Sequence, residues 1–179
     1  MSSVPDFQHF LHLFPEVELP FTLGEHDHHT FSMQNTPISG SIIQEYVLPI
    51  EEEDPDEFTE FVACLKIPAT KDFHAIVYWK AALMDYRYVL ATFNKKGVLI
   101  DKLVIAGTFY QDKALTSSVA KIDEDWTIYV VSGQSVDSSF DPSSSTIRQF
   151  ELLPEGRIIQ SDYQKEDLDK DWLLSDESN

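Results

Sequence analysis

Cysteine is almost missing from this chain. Cys64 is the only one, so there is no internal disulfide and no second thiol for a CxxC redox or zinc pattern. That usage favours a reducing compartment, and a cytoplasmic location is expected. Glycine is scarce as well, with six residues, and neither G-x-G-x-x-G nor G-x-x-x-x-G-K-[ST] occurs, which disfavours a nucleotide enzyme of a familiar type. A G-x-S-x-G nucleophile elbow is also missing. No stretch of 18 apolar residues exists, and Met1-Ser2-Ser3-Val4-Pro5-Asp6 has neither the basic start nor the apolar run of a secretory leader. Membrane spanning and secretion are therefore not expected.

Positive charge is absent from a third of the chain. Residues 1–60 hold 13 acids and no Lys or Arg, residues 61–122 nine bases against four acids, and residues 123–179 14 acids against four bases, for a net charge of −18. Such a field repels nucleic acid and anionic membranes, whose recognition needs Lys and Arg on phosphates, and both are excluded as primary ligands. Three readings of the pattern remain. The acidic ends can fold over the basic middle and pair with it, the surface can serve solubility alone, or the chain attracts a basic protein partner in a fast, salt-sensitive encounter.

The rest of the composition, 42% apolar and 25% charged over 179 residues, fits one domain with a core of its own. Phe7, Phe10, Leu11 and Phe14 recur at helical spacing between Pro5-Asp6 and Pro15, which predicts a short amphipathic helix. Val17, Leu19 and Phe21 alternate around Pro20, which suggests an edge strand or an extended arm. Ile38, Ile42, Ile43 and Tyr46 repeat as in a helix, although Ile42–Leu48 also reads as a strand. Glu51-Glu52-Glu53-Asp54-Pro55-Asp56-Glu57 is a charged loop. From Phe58 onward β-branched and aromatic runs are broken by turn signals every 10–12 residues. Strands are predicted at Phe58–Ile67, Phe73–Lys80, Tyr86–Phe93, Val98–Tyr110, Ala114–Ile122, Trp126–Ser132, Thr146–Leu153 and Arg157–Ser161. Turns fall at Asn94-Lys95-Lys96-Gly97, Asp123-Glu124-Asp125 and Pro154-Glu155-Gly156. Ser132–Ser145 is a polar low-complexity stretch, expected to be a loop.

The most chemically suggestive segment is Glu25-His26-Asp27-His28-His29. If it is extended, His26 and His28 project to one side and make a half-site for Zn²⁺, with His29 near by, but a third ligand is needed. Thr30 and Phe31 stand where the H-x-H-x-D-H pattern of metallo-β-lactamase-type hydrolases has its final Asp and His. Three histidines beside carboxylates would also titrate near neutrality. Cys64 reads as a buried strand residue and His74 as a core histidine, with a Cys64–His74 pair as the alternative. The aromatics Tyr78, Trp79, Tyr86, Tyr88, Phe93, Phe109, Tyr110, Trp126 and Tyr129 divide between a core face and an outward face, where a strip can bind a ligand or a partner.

The expected architecture is mainly β: an antiparallel meander forming a sandwich or barrel-like sheet, with one or two short N-terminal helices and an acidic C-terminal tail. One domain spans 1–161, with an acidic helical and extended part over 1–57 and the β meander over 58–161. The tail covers 162–179. The expected function is non-catalytic, recognition of a basic protein partner as an inhibitor or immunity protein would do it. Glu51, Glu52, Glu53, Asp54 and Trp172 are the candidate contacts, and no cofactor is implied. The alternatives are a small-molecule-binding β domain and a metal-assisted hydrolase using Glu25–His29.

Overall fold

The structure, a computed structural model that describes residues 3–162, is mainly antiparallel β. β2 (Glu60–Lys66), β3 (Phe73–Ala82), β4 (Asp85–Asn94), β5 (Leu99–Gln111), β6 (Ala114–Ile122), β7 (Thr127–Val136), β8 (Ser139–Leu152) and β9 (Ile158–Ser161) follow one another as neighbours in a single sheet. A short strand, β1 (Phe21–Leu23), joins through β6. The helices α1 (Phe7–His12), α2 (Asp27–Gln34) and α3 (Gly40–Ile42), the last running into a π-helical turn at Ile43–Val47, all precede β2. Residues 38–48 thus take the helical reading and not the strand. None of the described helices is long and apolar enough to cross a membrane.

The sheet forks at Gly107. β5 pairs with β4 from Leu99 to Phe109, but with β6 only from Gly107 to Gln111. β1 takes the part of the β6 edge that β5 leaves, with Leu23 opposite Ala120 and Phe21 opposite Ile122. The β6–β9 half therefore folds back over the β2–β5 half. Asp101 on β5 accepts from the Ile158 amide on β9 at 2.9 Å, and the Thr92 hydroxyl donates to the Gly156 carbonyl at 2.7 Å, which ties the two halves along that side.

Period-2 alternation gives the β2–β5 half two buried faces. Phe73, Ala75, Val77 and Trp79 of β3, with Tyr88 and Leu90 of β4, face the other half and meet Ala120, Ile122, Ile128, Val130 and Phe150. Ile76 and Tyr78, with Val89, Ala91 and Phe93, face outward and are covered by Phe7, Phe10, Leu11 and Phe14 and by Ile42, Val47 and Ile50. This explains why β3 and β4 read as near-continuous apolar runs. The layers are thus α1, α3 and the π-helical turn, then half-sheet, then half-sheet, with α2 placed against the inner core through Phe31.

Local chemistry sets the joints. Asp6 caps α1 by accepting from the Gln8 amide at 3.2 Å. Asp112-Lys113 and Asp137-Ser138 each put two successive residues at positive φ, as a two-residue type I′ hairpin requires. The second of these turns corrects the expected Ser132–Ser145 loop: β7 and β8 run on through it, pairing Gln134 with Asp141 and Val136 with Ser139.

Candidate functional site

α2 is fixed at three points, and they aim its histidines. Phe31 enters the inner core, 8% exposed. The Asn35 side chain donates to the Ala63 and Cys64 carbonyls at 2.7 and 2.9 Å, where a bulge shifts the register of β2 against β3. At the other end the Gly24 amide donates to Asp27 at 2.6 Å, and the Tyr88 hydroxyl donates to the Gly24 carbonyl at 3.0 Å. His28, three residues before Phe31, consequently lies over β3.

There its imidazole stacks on the Trp79 indole, with centroids 4.1 Å apart and planes 7° from parallel. Further rings flank the pair on both sides. His29 lies 4.0 Å from His28, and Tyr86 stacks on Trp79 at 5.9 Å. These rings, with Glu25, His26, Tyr88, Gly107 and Thr108, line a cavity of about 320 Å³ between the start of α2 and β3, β4 and β5. Trp79 is almost covered, whereas Tyr86 is 45% exposed and forms the open rim. Gly107 is required here: its φ is +148°, and a Cβ would stand 2.1 Å from the Tyr86 carbonyl oxygen.

The His28 ring hydrogen-bonds the Glu25 carbonyl through Nδ1 at 2.7 Å. Burial lowers its pKa, outweighing that hydrogen bond, and His29 and His26 push the same way. His28 is therefore a neutral ring with a fixed tautomer at neutral pH. The segment is a turn and a helix start, not the extended strand expected for an H-x-H half-site. Among the described residues no group of three or more His, Cys, Asp or Glu is arranged to hold a metal ion.

The other candidates fall elsewhere. Glu51 turns inward, accepting from the Tyr78 hydroxyl and from Lys80, each at 2.6 Å, with 10% of its side chain exposed. Glu52 lies 3.4 Å from Lys102 and is 85% exposed. Glu53 joins them on the wall of a cavity of about 360 Å³ that also holds Lys80, Asp85, Arg87 and Lys102. Asp54 is exposed on the loop beyond. Trp172 lies outside the described residues. Cys64 and His74 do not meet: Cys64 is buried in the inner core, where burial pushes its thiol pKa up, while His74 packs its ring 5.9 Å from Phe7 on the outer face.

Sequence reasoning found the histidines and the aromatic set containing Trp79, Tyr86 and Tyr88 separately, but not that they meet in one pocket. The signal was present in β3 and β4, where Trp79, Tyr86 and Tyr88 occupy same-face positions near the ends of paired strands. No family model, curated protein or solved structure matches this chain.

Proposed function

We propose that this protein acts by binding, as a module for a basic protein partner, and that a cationic side chain of the partner enters the pocket beside Trp79 and Tyr86. The observation that carries the proposal is the make-up of the pocket wall: aromatic residues, histidines and the acidic Glu25, with no Lys or Arg among the described residues. The faces of Trp and Tyr attract cations. A neutral His28 adds no opposing charge, and a net charge of −18 draws cations toward the surface. Glu51 and Glu52 are engaged by Lys80 and Lys102, so the pocket, rather than the acidic loop, is the contact to test first.

A cavity of about 320 Å³ is also the size of a small-molecule site, which supports a second reading in which the cation is a free small molecule. One titration followed by amide and indole NMR tests both, using a short Arg- and Lys-containing peptide and, separately, tetramethylammonium. Saturable shifts at His28, Trp79 and Tyr86, weakened at least tenfold by Tyr86→Ala at the exposed rim, are expected. Tighter binding of the peptide favours the protein partner, and tighter binding of tetramethylammonium favours the small molecule. Shifts spread over the acidic segments and indifferent to Tyr86→Ala would sink the proposal.

A further inference from the structure

The fork in the sheet leaves a further cleft, whose walls have the opposite character to the His28–Trp79 pocket. Beyond Gly107 toward its N-terminus β5 no longer pairs with β6, and β8 before Gln149 has no β9 beside it. The gap between β5 and the β6–β8 face holds about 560 Å³. The face is graded in rows set by the register. Ile122, Ile128 and Phe150 lie in the core, Ala120, Val130 and Arg148 come next, and Ser118, Ser132 and Thr146 follow. Across the gap, β5 contributes an apolar wall that includes Leu103, Ile105 and Phe109.

Charge is what singles this cleft out. In a chain of 31 acids and three arginines, no Asp or Glu among the described residues lines it, while Arg87 and Arg148 both do. Arg87 is bonded through Nε to Asp85 and lies over the Phe109 ring at 5.4 Å, so its charge is partly neutralised. Arg148 is exposed, rests 5.6 Å from the Phe150 ring centroid, and has no carboxylate partner among the described residues. Beside it stand hydroxyl donors: Thr146, and the Ser118–Ser132 pair with oxygens 2.7 Å apart. A free guanidinium with neighbouring hydroxyls suits a carboxylate, and the facing apolar wall suits a hydrocarbon body.

We infer that this cleft is a binding site for a small organic acid, a carboxylate carried on an apolar body, with Arg148 as the principal anchor. It is independent of the His28–Trp79 pocket, which no arginine among the described residues lines. The test is an amide-NMR titration of the full chain with sodium octanoate below its micelle concentration. 1-Octanol serves as the neutral analogue and inorganic phosphate as the bare anion.

Octanoate is expected to give saturable shifts at Ile105, Ser132, Thr146 and Arg148, and to bind at least tenfold more tightly than octanol or phosphate. Arg148→Gln, a change at an exposed position, should remove that advantage while leaving the thermal midpoint in place. Equal binding of octanoate and octanol, no effect of Arg148→Gln, or shifts confined to other surfaces would overturn the assignment. So would shifts of residues 163–179 on adding octanoate, because they would mean that the chain's own acidic segment is being displaced from the cleft.

Discussion

His28 illustrates how a side chain that looks like a metal ligand is used for something else. Stacked on Trp79 and partly buried, it favours the neutral ring, and its pKa lies below the ordinary 6.5. The sign of the pH dependence follows. Below about 6.5 the unfolded chain takes up a proton that the folded one resists, so the stabilisation is complete above that pH and fades as pH falls toward the lower folded-state value. His74 is lowered as well, first by burial and then by Lys95 and Lys66, and it adds in the same direction. The urea midpoint should therefore lose more between pH 7.5 and 5.5 in the wild type than in His28→Gln, and least in His28→Gln/His74→Gln. Equal losses in all three would refute this account. Gly107 gives a steric prediction on the same pocket. With φ at +148° and the Tyr86 carbonyl in the way, Gly107→Ala should cost about 3 kcal/mol. A midpoint shift worth under about 1 kcal/mol would show that the fork relaxes freely.

At the level of the element, the segment after the π-helical turn is held to β3 by one buried polar cluster. Glu51→Ala would leave Lys80 without its carboxylate and the buried Tyr78 hydroxyl without its acceptor, a loss of about 2–4 kcal/mol. Glu52→Ala, at an 85% exposed side chain, should change stability by less than about 0.5 kcal/mol. Chemical denaturation of the two variants separates these roles, and similar small losses would mean that Glu51 is an ordinary surface acid. The contrast also shows what the sequence could and could not convey. Four consecutive acids announce a loop but not which of them turns inward, because Lys80 lies 29 positions away. α1 was legible from Phe7, Phe10, Leu11 and Phe14, since helical spacing is local. The β4–β5, β6–β7 and β8–β9 turns were legible because Asn94–Gly97, Asp123–Asp125 and Pro154–Gly156 mark them. The β7–β8 extension was not: Ser, Gly and Asp dominate it, and composition hid both the Asp137-Ser138 turn and the pairing that makes these residues strands. The two pockets were hidden for a related reason. The cleft lies across the fork, and no local pattern encodes where β5 abandons β6; the His28–Trp79 pocket joins the start of α2 to β3, β4 and β5, which lie far from it in the sequence.

The whole molecule is an electrostatic compromise that salt can probe. Its charge of −18 is concentrated in the ends of the chain. Among the described residues, Glu51–Lys80 is the one bridge with both side chains less than 16% exposed. The carboxylates of Glu16 and Glu52 are 60% and 85% exposed in their pairs with Lys66 and Lys102. Exposed pairs are worth about 0–1 kcal/mol each, whereas like-charge repulsion acts over the whole surface at low ionic strength, where the screening length is about 30 Å at 0.01 M. Repulsion should therefore dominate, and raising NaCl from 0.01 to 0.15 M should stabilise the fold. For a chain of this size each kcal/mol gained moves the thermal midpoint by roughly 2–4 °C. The midpoint should thus climb by a few degrees, and Glu51→Ala, which removes a sheltered pair, should keep that increment. A midpoint that falls with salt would mean that attraction between the acidic N-terminal segment and the basic middle outweighs repulsion. The acidic field would then be spent inside the fold, leaving much less of it to draw a cationic partner to the Trp79 pocket.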